Sequence, residues 1–72
     1  MTFGDWLKQT RAYHGLTLQE VADKAGITKS YAWDIERGLH NPTLNKASQV
    51  TAVFGMELWS VLKKLGESSN MQ

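Results

Sequence analysis

The segment from Thr17 to Gly38, TLQEVADKAGITKSYAWDIERG, constrains the chain more than any other, because it holds two helix starts and a glycine stop close together. Thr17 with Glu20 three residues later is a capping box, so a helix is expected over about residues 18–25 with its first backbone N–H groups satisfied by side chains. Gly26 ends it. The residue closing a helix usually enters the left-handed backbone region, which suits glycine and costs a residue with a Cβ roughly 1 kcal/mol or more. Thr28 is a second N-cap, so a second helix over about residues 29–37 follows a connection of about three residues.

Two helices and a short glycine turn make the helix-turn-helix motif, whose second helix can be presented to a DNA groove. The flanking sequence supplies what such a pair packs on. Phe3, Leu7 and a partly buried Thr10 or Ala12 recur at helical spacing over about residues 2 to 14, ended by Gly15. Leu16 packs beneath that helix and Ile27 plugs the turn. Val21, Ala22 and Ala25 form the apolar face of the next helix, while Ala32 and Ile35 turn the following one inward. Gly38-Leu39-His40-Asn41-Pro42 reads as a loop, since Pro42 disfavours helical geometry at Asn41. Thr43 caps a fourth helix with core positions Leu44, Ala47, Val50 and Phe54, closed by Gly55, with Thr51 leaving room for a neighbour. Leu58, Val61, Leu62 and Leu65 define a fifth helix ending at Gly66. The expectation is an all-α, five-helix domain over residues 1–66 and a polar, flexible tail over 67–72.

At 72 residues there is room for one domain, and a chain this short buries only about 60% of the surface its unfolded form exposes, so its core is thin. The absence of cysteine removes disulfides and thiolate metal sites, and His14 and His40 lack the supporting ligands that zinc needs. No nucleophile with a base is visible, so neither an enzyme nor a cofactor or small-molecule ligand is expected. No apolar run approaches ~18 residues, and the segment after Met1 is polar and contains an acid, unlike a secretion signal. No membrane partner is expected, and the location expected is the cytoplasm, at the nucleoid when on DNA. The net charge is only +1. Its distribution matters more: with Glu36 paired internally and Asp5, Asp23, Glu57 and Glu67 elsewhere, a face carrying Lys29, Arg37, His40 and Lys46 is locally basic.

With the helices placed, the chain resembles the Cro and phage-repressor type of helix-turn-helix proteins, the XRE family, over about residues 3 to 65. The matching elements are Arg11, Gly15-Leu16-Thr17, Glu20-Val21-Ala22, Lys24-Ala25-Gly26-Ile27, Lys29-Ser30-Tyr31, Ile35-Glu36-Arg37-Gly38, Asn41-Pro42 and Gly55. The resemblance implies a lambda-repressor-like fold and a transcriptional regulator that binds a near-palindromic operator in double-stranded DNA as a homodimer. Its third helix would enter the major groove, with half-sites about one helical turn apart. It also implies an ion pair between Arg11 and Glu36 that fixes the orientation of the reading helix. Leu18 departs from the pattern, standing where many members carry a glutamine that holds a phosphate. The backbone N–H groups of that helix start remain as donors.

On this reading Lys29, Ser30, Asp34 and Trp33 are the candidates for base edges. Asp34 either accepts from a cytosine amino group or is neutralised by Arg37, and Trp33 is expected to stack on Tyr31 or Phe3, filling space left by Ala32. Thr17, Gln19, Thr28, Arg37, His40, Asn41, Thr43 and Lys46 are the candidates for phosphate contacts, which position the protein without specifying sequence. Trp6, beside core Leu7, is expected half-buried at the domain edge. Leu58, Trp59 and Leu62 are the expected dimer interface, because Trp59 lies off the core stripe. The rival is a protein-interaction module that keeps the fold without operator binding; low net charge, Leu18 and Asp34 favour it, and Lys29-Ser30 and Arg37 oppose it.

Overall fold

The first four helices all begin on a threonine whose hydroxyl accepts a hydrogen bond from the backbone N–H three residues on. In the computed structural model, which describes residues 1–69, Thr2 accepts from Asp5 at 3.1 Å, Thr17 from Glu20 at 3.1 Å, Thr28 from Tyr31 at 3.1 Å and Thr43 from Lys46 at 3.2 Å. The helices they start are α1 (Phe3–Tyr13), α2 (Leu18–Ala25), α3 (Lys29–Glu36) and α4 (Leu44–Val53), and α5 (Leu58–Ser69) follows. Among the described residues there is no strand. The Thr17–Glu20 box is closed in both directions: the Thr17 backbone N–H donates to the Glu20 carboxylate at 2.8 Å and holds its pKa below the usual carboxylate range. Gly26 closes α2 at φ +73°, the left-handed conformation that makes the turn into Thr28 so short.

α2 lies at the centre, packed on α3 and α4, while α1 packs on α3 and α4 on α5. Leu7, Val21, Ile35, Val50 and Val61 are buried where these helices meet, and Leu16, Ile27, Phe54, Met56 and Leu65 close the edges. The burial of Ala32 and Ile35 on one side of α3 leaves Lys29, Ser30, Trp33 and Arg37 exposed on the other. No helix among the described residues is long and apolar enough to cross a membrane.

Three details differ from the sequence expectation. Leu44 is 71% exposed rather than in the core. It is the first residue of α4, and helical side chains lean toward the N-terminus, so its side chain reaches off the helix end; Ala47, Val50 and Thr51 carry the buried face. Trp6 is fully buried rather than half-buried, held 5.3 Å from the Phe3 ring and edge-on to Phe54 at 5.8 Å. Of the two residues offered late in α1, Thr10 is partly buried as expected and Ala12 is exposed. Finally, α5 continues through Gly66 to Ser69, because Gly66 is not among the glycines at positive φ and so does not act as a cap. The remainder of the expected tail, residues 70–72, lies outside the described residues.

Candidate nucleic-acid interface

The orientation of α3 is set by two contacts with α1. At Gly4 the helices approach so closely that a Cβ would overlap the Ile35 carbonyl oxygen and lie 3.1 Å from that of Glu36. About two turns further along α1, Arg11 reaches the end of α3. Its Nε donates to Glu36 Oε2 at 2.7 Å, its Nη2 to Glu36 Oε1 at 3.2 Å, and its Nη1 to the Leu16 carbonyl at 3.1 Å. The Glu36 side chain is 1% exposed, so the bidentate fork supplies the neutralisation that burial requires. The hydrogen bond that Arg11 donates to Glu36 raises the Arg11 pKa further, so the guanidinium stays charged. Clamped to α1 by two contacts at its last turn, α3 presents its outer face in a fixed direction.

That face divides into three groups. At the start of α3, Lys29, Ser30 and Trp33 line an open cleft together with Leu18, the first residue of α2. Trp33 is 47% exposed and carries the Arg37 guanidinium over its ring, 5.1 Å from the centroid. It does not fill space beside Ala32 as expected, since Tyr31 pairs instead with His40 at 5.6 Å and Phe3 with Trp6.

The second group is Asp34, Arg37 and His40. Arg37 Nη2 donates to Asp34 Oδ1 at 2.7 Å, and His40 Nε2 lies 3.9 Å from Asp34 Oδ2. Asp34 is therefore neutralised by Arg37 through Oδ1, while Oδ2 keeps acceptor capacity that a base amino group could use. The third group is a cleft of about 610 Å³ lined by Gly26, Ile27, Thr28, Tyr31, Thr43 and Lys46. It brings the caps of α3 and α4 beside a lysine that makes no ion pair among the described residues. Each cap oxygen accepts from its own helix, which leaves the hydroxyl proton free to donate outward.

Three candidates stand apart from these groups. Thr17 caps α2, Gln19 donates to Asp23 at 2.8 Å, and Asn41 is exposed in the loop between α3 and α4. Leu18 and Tyr31 line the two clefts although neither was singled out as a site residue from sequence. No local signal marks Leu18, because the turn joins the other end of α2 to α3 and only the crossing of the two helices brings Leu18 beside Lys29.

The sequence from residue 7 to residue 58 matches a family described as helix-turn-helix. The chain belongs to this family, of the XRE type. Within it, the chain is 38% identical over 66 residues to the HTH-type transcriptional regulator SinR of Bacillus subtilis, an alignment covering 90% of this chain and 60% of that protein. It is 34% identical over 62 residues to the immunity repressor protein of Bacillus phage phi105, covering 86% of this chain and 43% of that protein. The crystal structure of SinR in complex with DNA superposes with a TM-score of 0.78 at 39% identity, over 85% of this chain and 98% of that one. The clp gene regulator ClgR of Corynebacterium glutamicum gives a TM-score of 0.84 at 27% identity, over 97% of this chain and 74% of that one. This helix-turn-helix chain thus spans about three fifths of SinR and less than half of the phage repressor. The family and the five-helix fold expected from the residues are both as found.

Proposed function

We propose that this chain is a sequence-specific DNA-binding transcriptional regulator, a repressor or Cro-like switch protein that binds a near-palindromic operator as a homodimer in the cytoplasm and performs no chemistry. The observation that carries the proposal is the clamped α3: Lys29, Ser30 and Trp33 are exposed on a helix held by Gly4 and Arg11, beside a cleft holding Thr28, Thr43 and Lys46. A groove reader needs this combination, with base-facing groups on a rigid helix and donors to phosphate on its flanks. The family membership and the DNA-bound SinR structure support the same reading.

Phosphate contact makes affinity depend on salt. With about six phosphates neutralised per dimer, log affinity falls against log salt with a slope of roughly −5. Fluorescence anisotropy on a labelled duplex between low and physiological salt measures this, and a slope near zero would favour the interaction-module reading instead. The same assay separates roles: Lys46→Ala lowers affinity for all sequences alike, whereas Lys29→Ala and Ser30→Ala each relax preference at particular base pairs by about 1 to 3 kcal/mol. If all three weaken specific and random DNA equally, α3 is not the reading helix.

The apolar surface of α5 supports docking of a second copy there. Trp59 is 72% exposed and Leu62 lies beside it at the surface, with Leu58 half-buried, while Leu39 and Leu44 add exposed apolar surface around the loop before α4. A two-fold axis near α5 leaves α2 and α3 free and sets the two reading helices about 34 Å apart. A patch this small implies a weak dimer that the operator stabilises. Trp59→Lys is expected to abolish cooperative binding to a full site while circular dichroism stays native. Retained dimerisation in sedimentation with wild-type affinity would place the interface elsewhere.

A further inference from the structure

The cleft between the starts of α2 and α3 has an unusual lining for the middle of a charged surface. Among the described residues it is lined by Leu18 and Trp33 together with Lys29 and Ser30, two apolar and two polar side-chain types. It measures about 350 Å³ and opens outward. Both walls are held in place. Leu18 is half-buried as the first residue of a helix whose cap is closed in both directions. Trp33 is held by a relay, its ring under Arg37 and Arg37 in turn hydrogen-bonded to Asp34. An exposed tryptophan fastened in this way is available as a rigid apolar wall.

In the major groove, base edges present hydrogen-bonding groups with a single apolar exception, the C5 methyl of thymine, which lies next to the O4 acceptor. A 5-methylpyrimidine is therefore the one base chemistry that an apolar cleft on a reading helix matches. Two sources share it, thymine and 5-methylcytosine. Lys29 decides between them, because its ammonium donates and never accepts, which suits the O4 of thymine and opposes the amino group of cytosine.

We propose that Leu18 and Trp33 form a specificity slot that receives a thymine methyl, with Lys29 donating to the neighbouring O4. This rests on the DNA-binding reading above and assigns Leu18, which departs from the phosphate-holding glutamine common in the family, to base discrimination. It also gives the Asp34–Arg37 pair a positioning role in holding Trp33.

The test uses the full chain and a duplex recovered by selection from a random pool. Each thymine is replaced in turn by deoxyuridine, which removes only the methyl. Affinity is expected to fall about fourfold at one position of each half-site, the factor that corresponds to the ~0.8 kcal/mol of one buried CH₂ group. 5-Methylcytosine paired with guanine at that position is expected to bind no better than deoxyuridine; equal binding with thymine would overturn the choice of thymine. Leu18→Ala and Trp33→Ala, checked for folding by circular dichroism, are expected to bind thymine and deoxyuridine duplexes equally. A sharply selected duplex with no position sensitive to deoxyuridine in the wild-type chain would overturn the slot and leave the DNA-binding reading intact. Failure to bind any duplex would overturn both.

Discussion

Arg11→Met is expected to destabilise the domain by about 3 to 5 kcal/mol, because it strands the Glu36 carboxylate at 1% side-chain exposure with no other charged partner among the described residues. For a domain this small each kcal/mol corresponds to a shift of about 4–8 °C in Tm, so the loss is at least ~12 °C. Replacing both partners with apolar residues, Arg11→Met with Glu36→Leu, is expected to recover much of that loss. Desolvation offsets most of what a buried pair gains, and removing both charges removes the penalty too. Thermal unfolding of the single and double variants checks the sign of the difference. Equal losses would mean that the two charges are not coupled. The pair's value to function is geometric, since it ties the last turn of α3 to α1 and so fixes the angle at which the outer face is presented.

Gly4→Ala is the second large effect, and its sign runs against helix propensity. Alanine in place of glycine within a helix normally stabilises by about 0.5–1 kcal/mol. At Gly4 the new methyl would enter the Ile35 carbonyl oxygen, a backbone atom that cannot step aside as a side-chain tip can. The crossing of α1 over α3 must open, at a cost of roughly 1–3 kcal/mol or more, and the reading helix moves with it. Gly66→Ala is the internal control: it lies in α5 with open space around its would-be Cβ and is expected to stabilise. If both alanines raise the Tm, the close approach of α1 to α3 is not as described.

What was legible from the sequence was whatever is decided locally. Thr17, Thr28 and Thr43 cap helices through bonds to residues three positions on, and Gly26 turns the chain through its own backbone freedom, so reading a few adjacent letters suffices. The contact at Gly4 was invisible because nothing near it in sequence demands a glycine; the demand comes from Ile35, across the fold. Leu44 misled for the opposite reason, since helical phase gives direction around an axis but not whether a neighbour is present at that end. The Arg11–Glu36 pair was reachable only through family resemblance, the two residues lying 25 apart in sequence. At the candidate site, exposure of Lys29 and Ser30 followed from the burial of Ala32 and Ile35. The Asp34–Arg37 pair was one of two readings offered for Asp34, but its link to Trp33 was not foreseen, because only the side-chain geometry shows Arg37 over that ring.

Sequence-selective recognition by α3 is tested most directly by incubating the full chain with duplexes of random sequence and sequencing what it retains. The expected result is enrichment of two inverted half-sites with centres about 10 base pairs apart, and Ser30→Ala should lose the preference at particular positions while retaining the spacing. A retained pool indistinguishable from the starting one would contradict the account.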